Sequence, residues 1–151
     1  MGKTISEAIV QQKFRNEYHK AVIALVYTAN QLTASHQKFF KAFGISHQQF
    51  NVLRILRGQF PRACRLNLIR SRMIDKMSDV SRIVERLRIA GMLYRGKNKA
   101  NRRAVDIKIS KAALELLEKI DGRIWELEQP MRELGSNKAK QLVNLLEMLI
   151  K

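Results

Sequence analysis

Two groups of side chains in this sequence carry more hydrogen-bonding capacity and charge than folding requires. If residues 77–90 form a helix, turning by about 100° per residue, Val80, Ile83, Val84, Leu87 and Ala90 share one side. Ser78, Ser81, Arg82, Glu85 and Ile89 share the other, and Arg86 belongs to the same helix. Serine hydroxyls donate or accept with base edges and phosphates, and a guanidinium pairs in a bidentate way with guanine O6 and N7 or grips a phosphate. Taken alone, such a face is equally the ordinary solvated side of a surface helix. The second group shifts the balance. Lys97, Lys99, Arg102 and Arg103 fall within seven residues of a polar loop, where folding gives no reason to gather four cations. Arginine on a protruding loop suits the strong negative potential of a narrow minor groove, and lysine suits the flanking phosphates. The candidate contact set is therefore Ser78, Ser81, Arg82, Glu85, Arg86, Lys97, Lys99, Arg102 and Arg103.

Overall charge points the same way. The chain has 151 residues, with 29 Lys and Arg against 13 Asp and Glu, a formal charge of +16 that repels itself unless a polyanion offsets it. Residues 51–100 carry 13 basic and 3 acidic side chains, so the excess is concentrated in the middle third. Arg54, Arg57, Arg62, Arg65, Arg70, Arg72 and Lys76 extend the basic field, several of them as solubility or phosphate-steering charges.

Other chemistry finds little support. Cys64 is the sole cysteine, which excludes an intrachain disulfide and a cysteine-based zinc finger. It is read as an inert thiol, with redox sensing through a pKa lowered by Arg62 and Arg65 as the alternative. His19, His36 and His47 lack metal-ligand spacing, and Trp125 and the phenylalanines read as interhelical packing. No phosphate loop, nucleophile elbow or paired inward carboxylates occur, so neither catalysis nor a metal or cofactor is expected. The longest apolar run, residues 21–27, is too short to span a bilayer, and no signal-peptide run follows the first residues, so no membrane partner and a reducing cytoplasm are expected. Met1-Gly2-Lys3-Thr4-Ile5-Ser6 fits a loose myristoylation pattern, which helix capping by Thr4 explains as well.

The elements that must position these groups are mainly helical. Thr4 and Glu7 make a capping box that should open a long helix, whose seam is Tyr18, Val22, Leu25, Ala29, Leu32, His36, Phe39 and Phe43. Such a helix needs long neighbours, which the C-terminal region can supply. Gly44 suits a left-handed C-cap, Ser46 and Gln49 form a second capping box, and the following helix buries Phe50, Leu53 and Leu56 before Gly58 closes it. After a turn at Phe60-Pro61, Leu66, Ile69 and Met73 mark a short helix and Ile74-Asp75-Lys76 a turn into residues 77–90. Period two then appears in Leu93-Tyr94-Arg95 and in Val105, Ile107 and Ile109, giving a β-hairpin with a cationic tip at residues 96–103. Ser110 should cap a long helix carrying Leu114, Leu117, Ile120, Ile124 and Leu127, which Pro130 bends or ends. Gly135-Ser136 opens a last helix with Leu142, Leu145, Leu146 and Leu149 on its apolar side. The fold class is mainly α with a small hairpin wing.

The order helix, short helix, turn, helix and basic hairpin is that of a winged helix-turn-helix, in which the second helix enters the major groove. Phe50-Asn51-Val52-Leu53-Arg54-Ile55-Leu56, the run from Asp79-Val80-Ser81-Arg82 to Leu87, Gly91-Met92-Leu93 and the Asn101-Arg102-Arg103 wing resemble the MarR family of bacterial transcription regulators. The resemblance covers nearly the whole chain. It implies one domain over residues 1–151, with dimerisation helices at about 4–43 and 111–151 around a DNA-binding lobe at about 46–110. It further implies an obligate homodimer on a palindromic operator of double-stranded DNA and, for many members, a cleft for a small-molecule effector. Two departures stand out: the family's wing usually begins Asp-Arg-Arg, its carboxylate orienting the second arginine, where this chain has Asn101, and Ala112-Ala113 replaces a customary glycine. The expected function is a sequence-specific regulator, a repressor. The alternatives are a non-specific architectural DNA-binding protein and a winged-helix protein-interaction module.

Overall fold

The computed structural model describes residues 2–151, so the Met1 of the myristoylation pattern lies outside the described residues. The chain divides into two compact units, Met1–Lys38 and Phe39–Lys151. In the first, Thr4 and Glu7 form the expected capping box, Thr4 Oγ1 accepting from the Glu7 amide and Glu7 accepting from the Thr4 amide. The helix it opens is a single turn, α1 (Ile5–Ala8), and not the long one expected. Val10 takes a positive φ of 54° and breaks the run. The long helix, α2 (Glu17–Lys41), starts afresh where Asn16 Oδ1 accepts the His19 amide at 2.9 Å. A capping box fixes where a helix begins, not how far it runs. Tyr18, Val22 and Leu25, the first residues of the expected seam, are exposed.

The second unit holds the core, and its joints are local capping motifs. At the end of α2 the Ile45 amide bonds the Phe40 carbonyl and the Gly44 amide bonds the Lys41 carbonyl, a Schellman motif with Gly44 at φ 75° and Phe40 and Ile45 buried against it. Ser46 and Gln49 then form a reciprocal capping box opening α3 (His47–Gln59). This helix buries Phe50, Val52, Leu53, Ile55 and Leu56. Phe40 stacks on Phe50 with centroids 4.2 Å apart. Gly58 does not close α3; the helix runs through it to Gln59, and the chain turns at Phe60-Pro61, a cis peptide, where proline has no amide to continue the ladder.

A two-residue strand that the sequence pattern did not reveal follows, β1 (Cys64–Arg65), then α4 (Leu66–Arg72) and α5 (Val80–Ile89). α5 begins three residues later than expected, because Asp79 caps it by accepting the Arg82 amide. Val80, Val84 and Leu87 are buried as expected, while Ala90 is exposed at the C-cap. The Met92 amide bonds Leu87 and the Gly91 amide bonds Arg88, a second Schellman motif with Gly91 at φ 74°. β2 (Leu93–Lys97) and β3 (Val105–Ile109) form the hairpin, and β1 adds to its other edge, giving the antiparallel order β1-β3-β2 with Cys64 opposite Ile107.

α6 (Lys111–Asp121) opens on Ser110 as expected and drives Ala113, Leu117 and Ile120 into the same core as α3 and α5. The expected continuous helix is interrupted after Asp121 and resumes as α7 (Trp125–Leu134). Pro130 does not end α7, which continues four residues beyond it; Gly135, at φ 80°, separates it from α8 (Ser136–Glu147). Arg123 guards the interruption, its guanidinium paired with Glu126 and lying 5.6 Å from the ring centres of both Phe39 and Phe43. On α8 Leu142 and Leu146 are half-buried and Leu145 is exposed, while Leu149, expected on the same helix, lies beyond its end and is exposed.

Ser110 joins three elements at one point. Its hydroxyl donates to the Gly91 carbonyl at 2.8 Å and accepts the Ala113 amide at 3.2 Å, and the residue is only 2% exposed. Ser110→Ala leaves both groups without that partner, and we expect a loss of about 2 kcal/mol, combining a lost cap with a lost hydrogen bond to the Gly91 carbonyl. Urea denaturation at fixed protein concentration checks it; an unchanged midpoint would show that water replaces the hydroxyl without cost.

Candidate nucleic-acid interface

Seven residues separate α4 from α5, and hydrogen bonds from three side chains hold their course. Asn51 Oδ1 on α3 accepts the Ile74 amide at 2.9 Å, Asp75 Oδ1 accepts the Met77 amide at 2.9 Å, and Lys76 donates to the Ser71 carbonyl. Ser78 precedes the cap of α5, and its hydroxyl oxygen is buried without a protein partner among the described residues. It is therefore not on the outward face with the other serine.

That face carries Ser81, Arg82 and Arg86, all exposed. Ser81 Oγ accepts from Arg70 of α4 at 2.9 Å. Glu85 differs from its neighbours, because Arg88 grips its carboxylate at 3.0 and 2.8 Å and Arg95 of β2 lies at 3.8 Å. The Arg88 guanidinium holds the Glu85 carboxyl below the usual carboxylate range. Glu85 thus ties α5 to the hairpin.

In the hairpin, Lys97 is the last residue of β2, paired with Val105, and not part of the tip. Lys99, Arg102 and Arg103 lie in the turn beyond it. Two asparagines shape that turn. Asn98 Nδ2 donates to both Asp106 oxygens at 3.1 and 3.0 Å, and Asn98 Oδ1 accepts the Ala100 and Asn101 amides. Asn101 Oδ1 accepts the Arg103 amide at 3.1 Å, so Arg103 is fixed through its backbone. Asn98 and Asp106 were missed by sequence reasoning, although asparagine's habit of bonding nearby amides was the available signal. Among the described residues, Arg82, Arg86, Lys97, Lys99, Arg102 and Arg103 have no carboxylate within 4.0 Å.

The fold brings α5 and the wing together. Ser81, Asn101 and Arg103 line one groove of about 330 Å³, with Asn67, Arg65 and Arg95 beside them and no acidic residue in its lining. Three guanidiniums and three neutral polar side chains, with no carboxylate among them, suit a phosphate-rich partner better than a cation. No group of three or more metal-ligating side chains occurs among the described residues.

No protein-family model and no curated protein matches the chain. Solved structures do. A MarR transcription factor from Planctomyces limnophilus is 27% identical, with a TM-score of 0.69 over 90% of this chain and 99% of that one. Bordetella bronchiseptica BpsR, whose DNA binding is regulated by 6-hydroxynicotinic acid, is 23% identical with a TM-score of 0.71 over 83% and 89% of the two chains. S. aureus MepR in its DNA complex is 19% identical with a TM-score of 0.73 over 91% and 98%.

Cys64 faces inward from β1 and is only 5% exposed. Burial pushes its thiol above the ordinary value, outweighing the pull of Arg72, so Arg62 and Arg65 do not activate it as the alternative sequence reading required. At pH 8 we expect iodoacetamide to alkylate native Cys64 at least tenfold more slowly than the urea-unfolded chain, since the thiolate is the reacting form. Equal rates in the two states would return Cys64 to the list of reactive thiols.

Proposed function

We propose, from the MarR-type winged-helix fold that this chain has, that it is a transcription regulator binding a specific sequence of double-stranded DNA. The observation that carries this reading is the groove where Ser81 of α5 meets Arg103 of the wing, flanked by arginines and free of acidic lining. Its activity is binding rather than catalysis. α5 enters the major groove with Ser81 and Arg82 nearest the base edges, since the first turn of a recognition helix lies deepest. Lys99, Arg102 and Arg103 reach the minor groove and backbone, and Arg86 and Lys97 hold phosphates. Glu85 sets Arg95 against the helix and so acts on DNA through its neighbour, while the Ser78 hydroxyl is turned inward before the cap of α5. That S. aureus MepR, a protein of similar fold, is solved in complex with DNA supports DNA as the partner.

The regulator works as a homodimer on a palindrome. Tyr18, Val22, Leu25 and Val26 on α2, and Leu145, Met148, Leu149 and Ile150 at the chain's end, are all more than two-fifths exposed. Apolar residues at such density call for cover, and a second copy of the chain supplies it. Acting as a repressor in the cytoplasm, it releases DNA when a small molecule or other signal arrives, as regulation of BpsR by 6-hydroxynicotinic acid illustrates. No helix among the described residues is long and apolar enough to cross a membrane. The charge of +16 favours a second reading, an architectural protein indifferent to sequence.

Selection of bound duplexes from a random pool separates the two. A regulator returns a short palindrome with half-sites about one helical turn apart, and Arg103→Ala weakens binding to operator and scrambled duplex alike while lowering the salt slope by about 1 per half-site. Equal affinity for selected and scrambled duplexes across a salt series would leave only the architectural reading. For the assembly, sedimentation at micromolar concentration should give a particle of twice the 17.5 kDa chain mass; a stable folded monomer would contradict the dimer.

A further inference from the structure

We infer that Asp106, an acid beside a surface read as DNA-binding, strengthens the binding of DNA: through Asn98 it presets the wing tip that carries Arg102 and Arg103. It is a positioning residue. The inference rests on the proposed contact between wing and DNA, and adds to it a residue whose charge has the wrong sign for that contact.

Asp106 lies on β3, opposite Gly96 of β2 and Arg65 of β1. In a chain with 29 lysines and arginines, its carboxylate has no cation within 4.0 Å among the described residues. Both of its oxygens accept instead from Asn98 Nδ2, at 3.1 and 3.0 Å. An acid kept for charge balance would sit on an arginine; this one sits on a neutral amide. Both residues are half-buried, so water replaces the bond less readily than it would in the open.

A carboxylate only accepts, whereas a carboxamide has an NH2 end that donates and a carbonyl end that accepts. With its NH2 end on Asp106, Asn98 turns its carbonyl oxygen into the loop, where it accepts the Ala100 amide at 2.9 Å and the Asn101 amide at 2.8 Å. The reverse orientation would set the carbonyl oxygen against the carboxylate and the NH2 group against two N–H groups. Asn101 extends the relay, its Oδ1 accepting the Arg103 amide at 3.1 Å. Hydrogen bonds thus run from β3 through two asparagine side chains to the backbone of Arg103. Main-chain bonds from the Asn98 amide to the Ala104 carbonyl and from the Ala104 amide to the Asn101 carbonyl close the loop, but they leave the amides of Ala100, Asn101 and Arg103 to the side chains. Two opposed effects meet in Asp106. Its charge repels phosphates, an effect that salt screens; its bond spares the tip the cost of ordering on contact, which salt does not touch. At physiological salt the second prevails.

The test uses the full chain and a duplex recovered by selection, with affinity read by fluorescence anisotropy at physiological salt. Asp106→Ala should weaken binding about fivefold although it removes a negative charge, and should speed hydrogen exchange at the Ala100, Asn101 and Arg103 amides of the free protein. Asn98→Asp sets two carboxylates against each other and should have the larger effect on both readouts. Combining Asn98→Asp with Asp106→Asn exchanges donor and acceptor at unchanged net charge, and should return affinity and protection close to wild type. In a chain already carrying Arg102→Ala and Arg103→Ala, Asp106→Ala should no longer weaken binding, whereas a general loss of stability would weaken it there as well. Tighter binding by Asp106→Ala, or a reciprocal exchange no better than Asn98→Asp alone, would overturn the inference. If wild type binds no duplex, the DNA-binding reading falls and the inference with it, a result seen before any variant is made.

Discussion

α5 leaves Ser81, Arg82 and Arg86 exposed and is held by its opposite face, Val80, Val84 and Leu87, each nearly fully buried. Burying a side chain of this size is worth roughly 1.5–3 kcal/mol. The Glu85–Arg88 pair on the opposite side lies in water and is screened by it, so it adds orientation more than stability. The core therefore sets the pose of Ser81 and Arg82. Both ends of the helix are pinned as well, by Asp79 at the start and by the Gly91 motif at the finish. Ser110 then locks Gly91 to the start of α6, so α5, the wing and α6 share one joint.

The few acidic residues of the basic middle third are all spent on construction. Asp75 shapes the turn before α5, Asp79 caps it, and Glu85 joins it to Arg88 and Arg95. Asp106, the acid nearest the wing tip in sequence, is occupied by the neutral Asn98. Such placement leaves Arg82, Arg102 and Arg103 unneutralised although acids lie a few residues away in sequence. The field of the interface thus follows from where acids are needed for folding, and not merely from the surplus of lysine and arginine.

What could be seen in the sequence was whatever depends on a few adjacent residues. The Ser46–Gln49 box, the Gly44 cap, the Ser110 cap and the alternation of Val105, Ile107 and Ile109 all appear as expected, because each is decided within one turn or one strand. Extent was harder to see. α1 stops after a turn where Val10 takes a positive φ, α2 starts afresh at Asn16, and α3 passes through Gly58 because a glycine with room to be helical need not end a helix. β1 is two residues long and exists only through its pairing with β3, so no local pattern could announce it. The same pairing buries Cys64 and decides its chemistry. Arg70 was read as one cation among many, since its tie to Ser81 spans two helices and no periodicity links them.

Asn101 shows how shape and charge separate within one position. The turn needs an oxygen to accept the Arg103 amide, and an amide oxygen serves as well as a carboxylate. A carboxylate there would keep the loop but add a negative charge next to Arg102 and Arg103. The asparagine keeps the geometry and leaves both guanidiniums at full strength for a polyanion. At physiological salt a charge is screened within about 8 Å, so the difference is felt close to the wing tip rather than across the molecule. The departure from the usual wing pattern is therefore electrostatic: the backbone bond that holds the tip is kept, and the negative charge beside Arg102 and Arg103 is absent.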